Sequence, residues 1–202
     1  MFDRAKNPSS PTEAAPRRGR LLLRRFRRSQ DGVAAVEFAF VAVPFFALLF
    51  AIFETALMFW TNQVLEESLS QASRSLVTGQ SQYRYTSNSP AANATKFRDD
   101  ICALAPMGLI DCSKLAVDVR VYDSFANAKS GSAGSNPLSN GQLDTSKFSY
   151  AQPQKNEIVV VRAVLDYKLF LTSWASAGLV DIAGSNRHVI VASTAFRAEP
   201  FT

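Results

Sequence analysis

RRFRRSQDGVAAVEFAFVAVPFFALLFAIFETALMFW, residues Arg24–Trp60, decides how the rest of the chain is read. A cluster of arginines leads to Gly32. Then come 21 residues, Val33 to Phe53, in which Glu37 is the only charged side chain. Coiled as a helix at about 1.5 Å per residue, such a run crosses a hydrocarbon core of about 30 Å. The composition therefore predicts a transmembrane segment at about 33–55. Pro44 has no N–H for the carbonyl of Phe40, so a kink or local loosening is expected there. Met58 and Trp60 fall at the far boundary, where tryptophan is favoured as an interface anchor.

Outward from this stretch, charge is partitioned. The net charge is +5 overall, but residues 1–32 alone carry +6, residues 33–54 carry −2, and residues 55–202 carry +1. An excess of Lys and Arg on one side of a span keeps that side in the cytoplasm. Arg24, Arg25, Arg27 and Arg28 are thus read as orientation residues, with the later part of the chain exported. A basic arm also suits nucleic acid. Here the arginines abut an apolar span, and anionic lipid headgroups account for them, so no nucleic-acid partner is expected. Residues 1–20 contain three prolines and few apolar side chains, a composition that predicts disorder.

Helical spacing continues past Trp60. Leu65, Leu69, Ala72 and Leu76 recur at intervals of four, three and four, and Gly79 is placed to stop the helix. One long helix over 33–79 is expected, half membrane segment and half amphipathic. Residues 80–89 read as a polar loop. Ser89-Pro90 reads as an N-cap and first turn, opening a helix to about Leu104 with Ala94, Phe97, Ile101 and Leu104 on one face, ended by Pro106. Leu115, Val117, Val119 and Val121 alternate with Ala116, Asp118 and Arg120, as in a half-buried strand. Residues 123–154 read as a long flexible loop. Strands are expected over 157–170 and 188–196, with a short helix over 172–182 carrying Trp174 and Leu179. The result is an α+β protein. Its long N-terminal transmembrane helix extends into an exported domain, residues 80–202, in which a helix packs on a small antiparallel sheet.

Cys102 and Cys112 both fall on the exported side, where two thiols most often pair; two buried free thiols are the alternative. A bridge would fasten the helix to the sheet and contribute roughly 2.5–3 kcal/mol by the chain-entropy argument. Catalytic signals are sparse. His188, the only histidine, opens an apolar strand and reads as structural rather than as a base. There is no GxSxG elbow, no P-loop, and no cysteine or histidine cluster with metal-ligand spacing. Asn93-Ala94-Thr95 fits a glycosylation sequon, which is a weak signal. An enzyme and a cofactor are not expected.

Glu37 is the residue without an ordinary explanation. A carboxylate within a span costs about 2.5–3.5 kcal/mol at the bilayer centre and less near its edge. It either snorkels or awaits a cationic partner within the membrane. Around it, Gly32-Val-Ala-Ala-Val-Glu37-Phe38 resembles the processing site of Flp-type type IV pilins and pseudopilins. In those proteins a prepilin peptidase cuts after the glycine, and a glutamate stands fifth in the mature chain. The resemblance is closer to the TadE/TadG-like proteins of tight-adherence pilus systems. It covers GVAAVEFAFVAVPFF with Pro44, ASRSLVTGQ at 72–80, and FRAEPF at 196–201, but not residues 81–185 beyond the two cysteines. Departures from the Flp pilin pattern are Phe38 in place of tyrosine and the length of the chain.

The resemblance implies a pilin-like minor pilin or pseudopilin, cut between Gly32 and Val33, with Glu37, Phe38 and Pro44 serving assembly. It also implies the bacterial inner membrane, a periplasmic domain, and partners that include the prepilin peptidase, other pilins or pseudopilins, and the pilus assembly platform. A signal-anchored periplasmic binding or scaffold protein, left uncut, is the alternative. A secreted enzyme is the third reading; the apolar run is longer than a secretory signal needs.

Overall fold

The computed structural model describes residues 30–130, 136–170, 178–182 and 184–201. The chain divides into two units, Met1–Phe46 and Ala47–Thr202. The expected disorder of residues 1–20 and the orienting arginines Arg24, Arg25, Arg27 and Arg28 lie outside the described residues. Helix α1 spans Gln30–Val77 and its assignment continues through Pro44. In the second unit it is followed by the single turn α2 (Ser81–Arg84), helix α3 (Pro90–Leu104), strand β1 (Leu115–Tyr122) and α4 (Phe125–Ser130). A two-residue hairpin β2–β3 (Leu138–Ser139, Gln142–Leu143) and strands β4 (Ile158–Lys168) and β5 (Arg187–Arg197) complete it.

The main sheet is antiparallel in the order β1-β4-β5. Val117 pairs with Ala163, which pairs with Ala192, placing small side chains at the centre of one face. That face and two helices form the principal core. Leu65, Leu69, Ala72 and Leu76 of α1 and Phe97 and Ile101 of α3 join Val119, Val161, Leu165 and Ile190. The four-three-four stripe therefore buries as expected, and Gly79 ends the helix with φ +76°. In α3, by contrast, Leu104 is 44% exposed, because the chain leaves the helix there toward Pro106.

Three further expectations give way to long-range packing. Residues 80–89 are not simply a polar loop: Ser81 and Tyr85 are buried, and the Tyr85 ring stands edge-on to Phe97 and Tyr150. Ser89 occupies the N-cap position, but its side chain makes no cap bond. The Asn93 amide does the local work instead, accepting from Ser87 N–H at 3.0 Å and donating to Ser87 C=O at 2.9 Å. That also buries the sequon asparagine. Finally, residues 123–154 contain α4 and the hairpin, whose Asn140-Gly141 turn has both φ values positive, as a type I′ turn requires.

This segment covers the second face of the sheet. Leu138, Leu143 and Phe148 pack on Val164, Ile182 and Val189, and Tyr150 bridges to Val119 beyond the β1 edge. β4 is consequently buried on both faces along most of its length. Of the helix expected over 172–182, residues 171–177 with Trp174 lie outside the described residues. Leu179 and Val180 are half-buried, and residues 178–182 form turns rather than a helix.

Cys102 and Cys112 stand at disulfide distance, with Cα atoms 6.0 Å apart, joining the end of α3 to the turn before β1. Replacing both with serine is expected to lower the stability of the globular unit by roughly 2.5–3 kcal/mol. A denaturant midpoint for the double variant equal to that of the parent under non-reducing conditions would contradict this.

Candidate functional site on the apolar helix

The first unit is described by its stretch of α1 alone. The expected processing and assembly residues Gly32, Val33, Glu37, Phe38 and Pro44 all fall on this one helix. Its apolar side chains face outward: Phe38 is 71% and Phe40 78% exposed, and Phe45 meets Phe46 edge-to-face with centroids 5.5 Å apart. Helix α1 is long and apolar enough to cross a membrane, and its most apolar window buries nothing. An unburied apolar helix of this length suits a single-pass membrane anchor.

Glu37 is exposed and has no hydrogen bond or ion pair among the described residues. In a hydrocarbon setting no described residue offsets its desolvation, which leaves a charged partner or access to the interface as the ways to lower that cost. Gly32 and Val33 lie within the first turn of α1, which starts at Gln30, slightly earlier than the expected start at Val33. A protease acting there must open that turn, which lacks a full set of helical hydrogen bonds.

In the second unit, the exposed apolar run ends where burial begins. Leu48, Leu49, Phe50, Ile52 and Phe53 are exposed, and the next residue, Glu54, is 2% exposed. Its two carboxylate oxygens each accept from Phe170 N–H at 3.0 Å. Burial, and then the charge of Glu54, push the Tyr167 phenol upward. Thr61 and Ser68 follow on the same buried side at seven-residue intervals. Thr61 Oγ1 satisfies itself on Leu57 C=O at 2.9 Å. Sequence reasoning passed over this polar row because it tracked only the apolar stripe. The heptad spacing of 54, 61 and 68 was the available signal.

The far end of α1 is closed by residues 198–201. Glu199 N–H donates to Val77 C=O at 2.8 Å, and Ala198 N–H to Glu157 C=O at 2.8 Å. The Phe201 ring packs on Gly79. Beside this contact, an open cleft of about 610 Å³ is lined by Gln82, Tyr83, Gln154, Lys155 and Phe201. The sequence stretches 72–80 and 196–201, far apart in the chain, are thus one structural feature.

Polar networks elsewhere hold the unit together. Arg84 and Tyr85 both bond the Asp100 carboxylate. Burial pulls Asp100 up, but those two partners outweigh it and hold it below the usual carboxylate range. Burial, with the Asp100 hydrogen bond, pushes Tyr85 up to about 12. His188 Nδ1 lies 2.7 Å from Asp181 Oδ2 and 2.8 Å from Leu179 C=O. Both neighbours are acceptors, so Nδ1 carries a proton and the ring pins residues 179–181 to β5, in keeping with a structural role. Among the described residues no group of three His, Cys, Asp or Glu side chains is arranged to hold a metal ion.

The model of the family described as TadE-like protein matches residues 32–74. The matched segment begins at Gly32, includes Glu37 and Pro44, and runs to the last turn of α1. No curated protein and no solved structure matches the chain.

Proposed function

We propose that this protein is a minor pilin or pseudopilin used to assemble or prime a tight-adherence pilus. The observation that carries the reading is the apolar helix, unburied and bearing Glu37 near its start, on which the likeness to TadE-like proteins falls. In this reading the chain lies in the inner membrane with its N-terminus cytoplasmic and its globular unit periplasmic. A prepilin peptidase cuts after Gly32, and the partners are other pilins or pseudopilins and the assembly platform. The chain performs no catalysis of its own.

Cleavage would release the α-amino group of Val33, with a reference pKa near 7.7–8.0, largely protonated at neutral pH. In a membrane or filament core, that ammonium and the Glu37 carboxylate of a neighbouring subunit would offset each other's desolvation. Ala34, Ala35, Ala39 and Ala42 keep the helix slender enough for close approach. Phe38 and Pro44 complete the proposed assembly segment.

The N-terminus of the protein recovered from its own membranes tests the processing step. A chain starting at Val33 supports it. An intact Met1 favours the uncut, signal-anchored binding or scaffold protein, or a TadE-like protein that escapes processing; the helical position of the Gly32–Val33 bond suits either. A start beyond residue 55 means secretion. For assembly, Glu37→Gln is expected to leave insertion intact and to impair pilus formation. Normal pili from that variant would remove Glu37 from the mechanism.

A further inference from the structure

Phe170 is 77% exposed, although Leu169 before it is buried. It stands just past the end of β4, outside the hydrophobic core. Its position is nevertheless fixed: its N–H is held by both oxygens of the buried Glu54, and its ring meets Tyr167 edge-on at 6.4 Å. A large apolar ring held facing outward, with backbone and ring both anchored, is presented to whatever lies at that level outside the chain.

The location identifies what lies there. Glu54 is the residue at which α1 passes from exposed apolar side chains to burial within the globular unit, and Phe53 immediately before it is exposed. A hydrogen bond of 3.0 Å to Glu54 therefore places Phe170 at the level where the apolar run ends. Phe59 and Trp60, one to two turns further along α1, are also exposed, as aromatic side chains at a membrane–water boundary are. Lys168, two residues before Phe170, is exposed as well, and a cation beside an aromatic suits an anionic headgroup layer.

We propose that Phe170 is an interfacial lipid anchor, a second contact with the bilayer made by the globular unit itself. The unit then sits on the membrane surface without a stalk, and the Glu54–Phe170 hydrogen bond sets its height. The proposal rests on reading α1 as a membrane anchor.

The test places the photo-crosslinking residue p-benzoylphenylalanine at one of three positions in the full chain, reconstituted in vesicles of phosphatidylethanolamine and phosphatidylglycerol. The positions are Phe50 in the apolar run, Phe170, and Tyr83. Tyr83 is 85% exposed and lies beyond the far end of α1; the 23 helical steps from Glu54 to Val77 rise about 35 Å at about 1.5 Å each. Lipid adducts, read by mass spectrometry, are expected at 50 and at 170 and not at 83. Adducts at 50 with none at 170, or adduct to protein in place of lipid at 170, would overturn the proposal and leave the anchor reading standing. Equal yields at 83 and 170 would overturn it as well. No adduct at 50 would overturn the anchor reading, and the proposal with it.

Discussion

Asp118→Ala is expected to destabilise the globular unit by about 3–5 kcal/mol, the cost of removing one partner from a buried ion pair. Asp118 is 2% exposed in the middle of β1. Its carboxylate accepts from Arg120 Nε at 2.9 and 3.1 Å and from Ser149 N–H at 3.0 Å. Arg162 on the neighbouring strand, itself 5% exposed, approaches at 3.5 Å, with its guanidinium 5.0 Å over the Phe148 ring. Truncation removes the carboxylate beside a buried cation and the acceptor that holds the segment leading to Tyr150. Urea denaturation of the full chain in detergent, followed by near-ultraviolet circular dichroism, measures the effect. The paired change Asp118→Leu with Arg162→Met should recover a large share of the loss, since replacing both members of a buried pair with matched apolar side chains is often close to neutral. A single variant as stable as the parent would show that the network contributes little.

Gly79→Ala is expected to cost about 2–5 kcal/mol, from two separable sources. Gly79 has φ +76°, where a side chain costs about 1–2 kcal/mol. A Cβ there would also lie 2.3 Å from the Phe201 ring and 2.9 Å from Phe201 Cβ. Because the obstruction includes atoms next to the Phe201 backbone, the ring cannot simply swing aside, and overpacking of this kind costs about 1–3 kcal/mol. A double-mutant cycle with Phe201→Ala separates the two. In the Phe201→Ala background, Gly79→Ala should cost only the conformational share, leaving a coupling of about 1–3 kcal/mol. Equal costs in both backgrounds would mean that residues 198–201 do not pack on the helix end in solution.

These two sites mark where the sequence was readable and where it was not. Gly79 was legible as a helix stop, because a glycine after a periodic apolar stripe is a local signal. That Phe201 closes on it was not, since 122 residues separate them. The recurrence of 72–80 and 196–201 in the family resemblance marked both ends of that contact without showing that they touch. Asp118 was read as the solvent side of an alternating strand. The alternation was correct, but the far face of the sheet is covered by the hairpin at 138–143 and by Phe148. The Asn140-Gly141 turn was a legible hairpin signal, overlooked within a segment rich in serine and glycine. Leu104 was placed on the buried face by helical spacing, and the chain's departure at the end of α3 leaves it exposed. Glu54 fell outside the apolar stripe, and the only sequence sign of its burial was the seven-residue spacing it shares with Thr61 and Ser68.

By itself the sequence determined the long helix, the exposed apolar run with Glu37 at its start, the three principal strands and the class of fold. Each depends on composition or on a period of 3.6 or 2, properties carried by neighbouring residues. Only the tertiary structure decided that Glu54 holds Phe170, that Asp118 is buried with Arg162, and that residues 198–201 close the end of α1. A periodic pattern states which side of an element is apolar; it carries no information on which distant segment covers the other side. That depends on the whole chain folding back on itself, and it is what turns exposed-looking polar residues into buried partners.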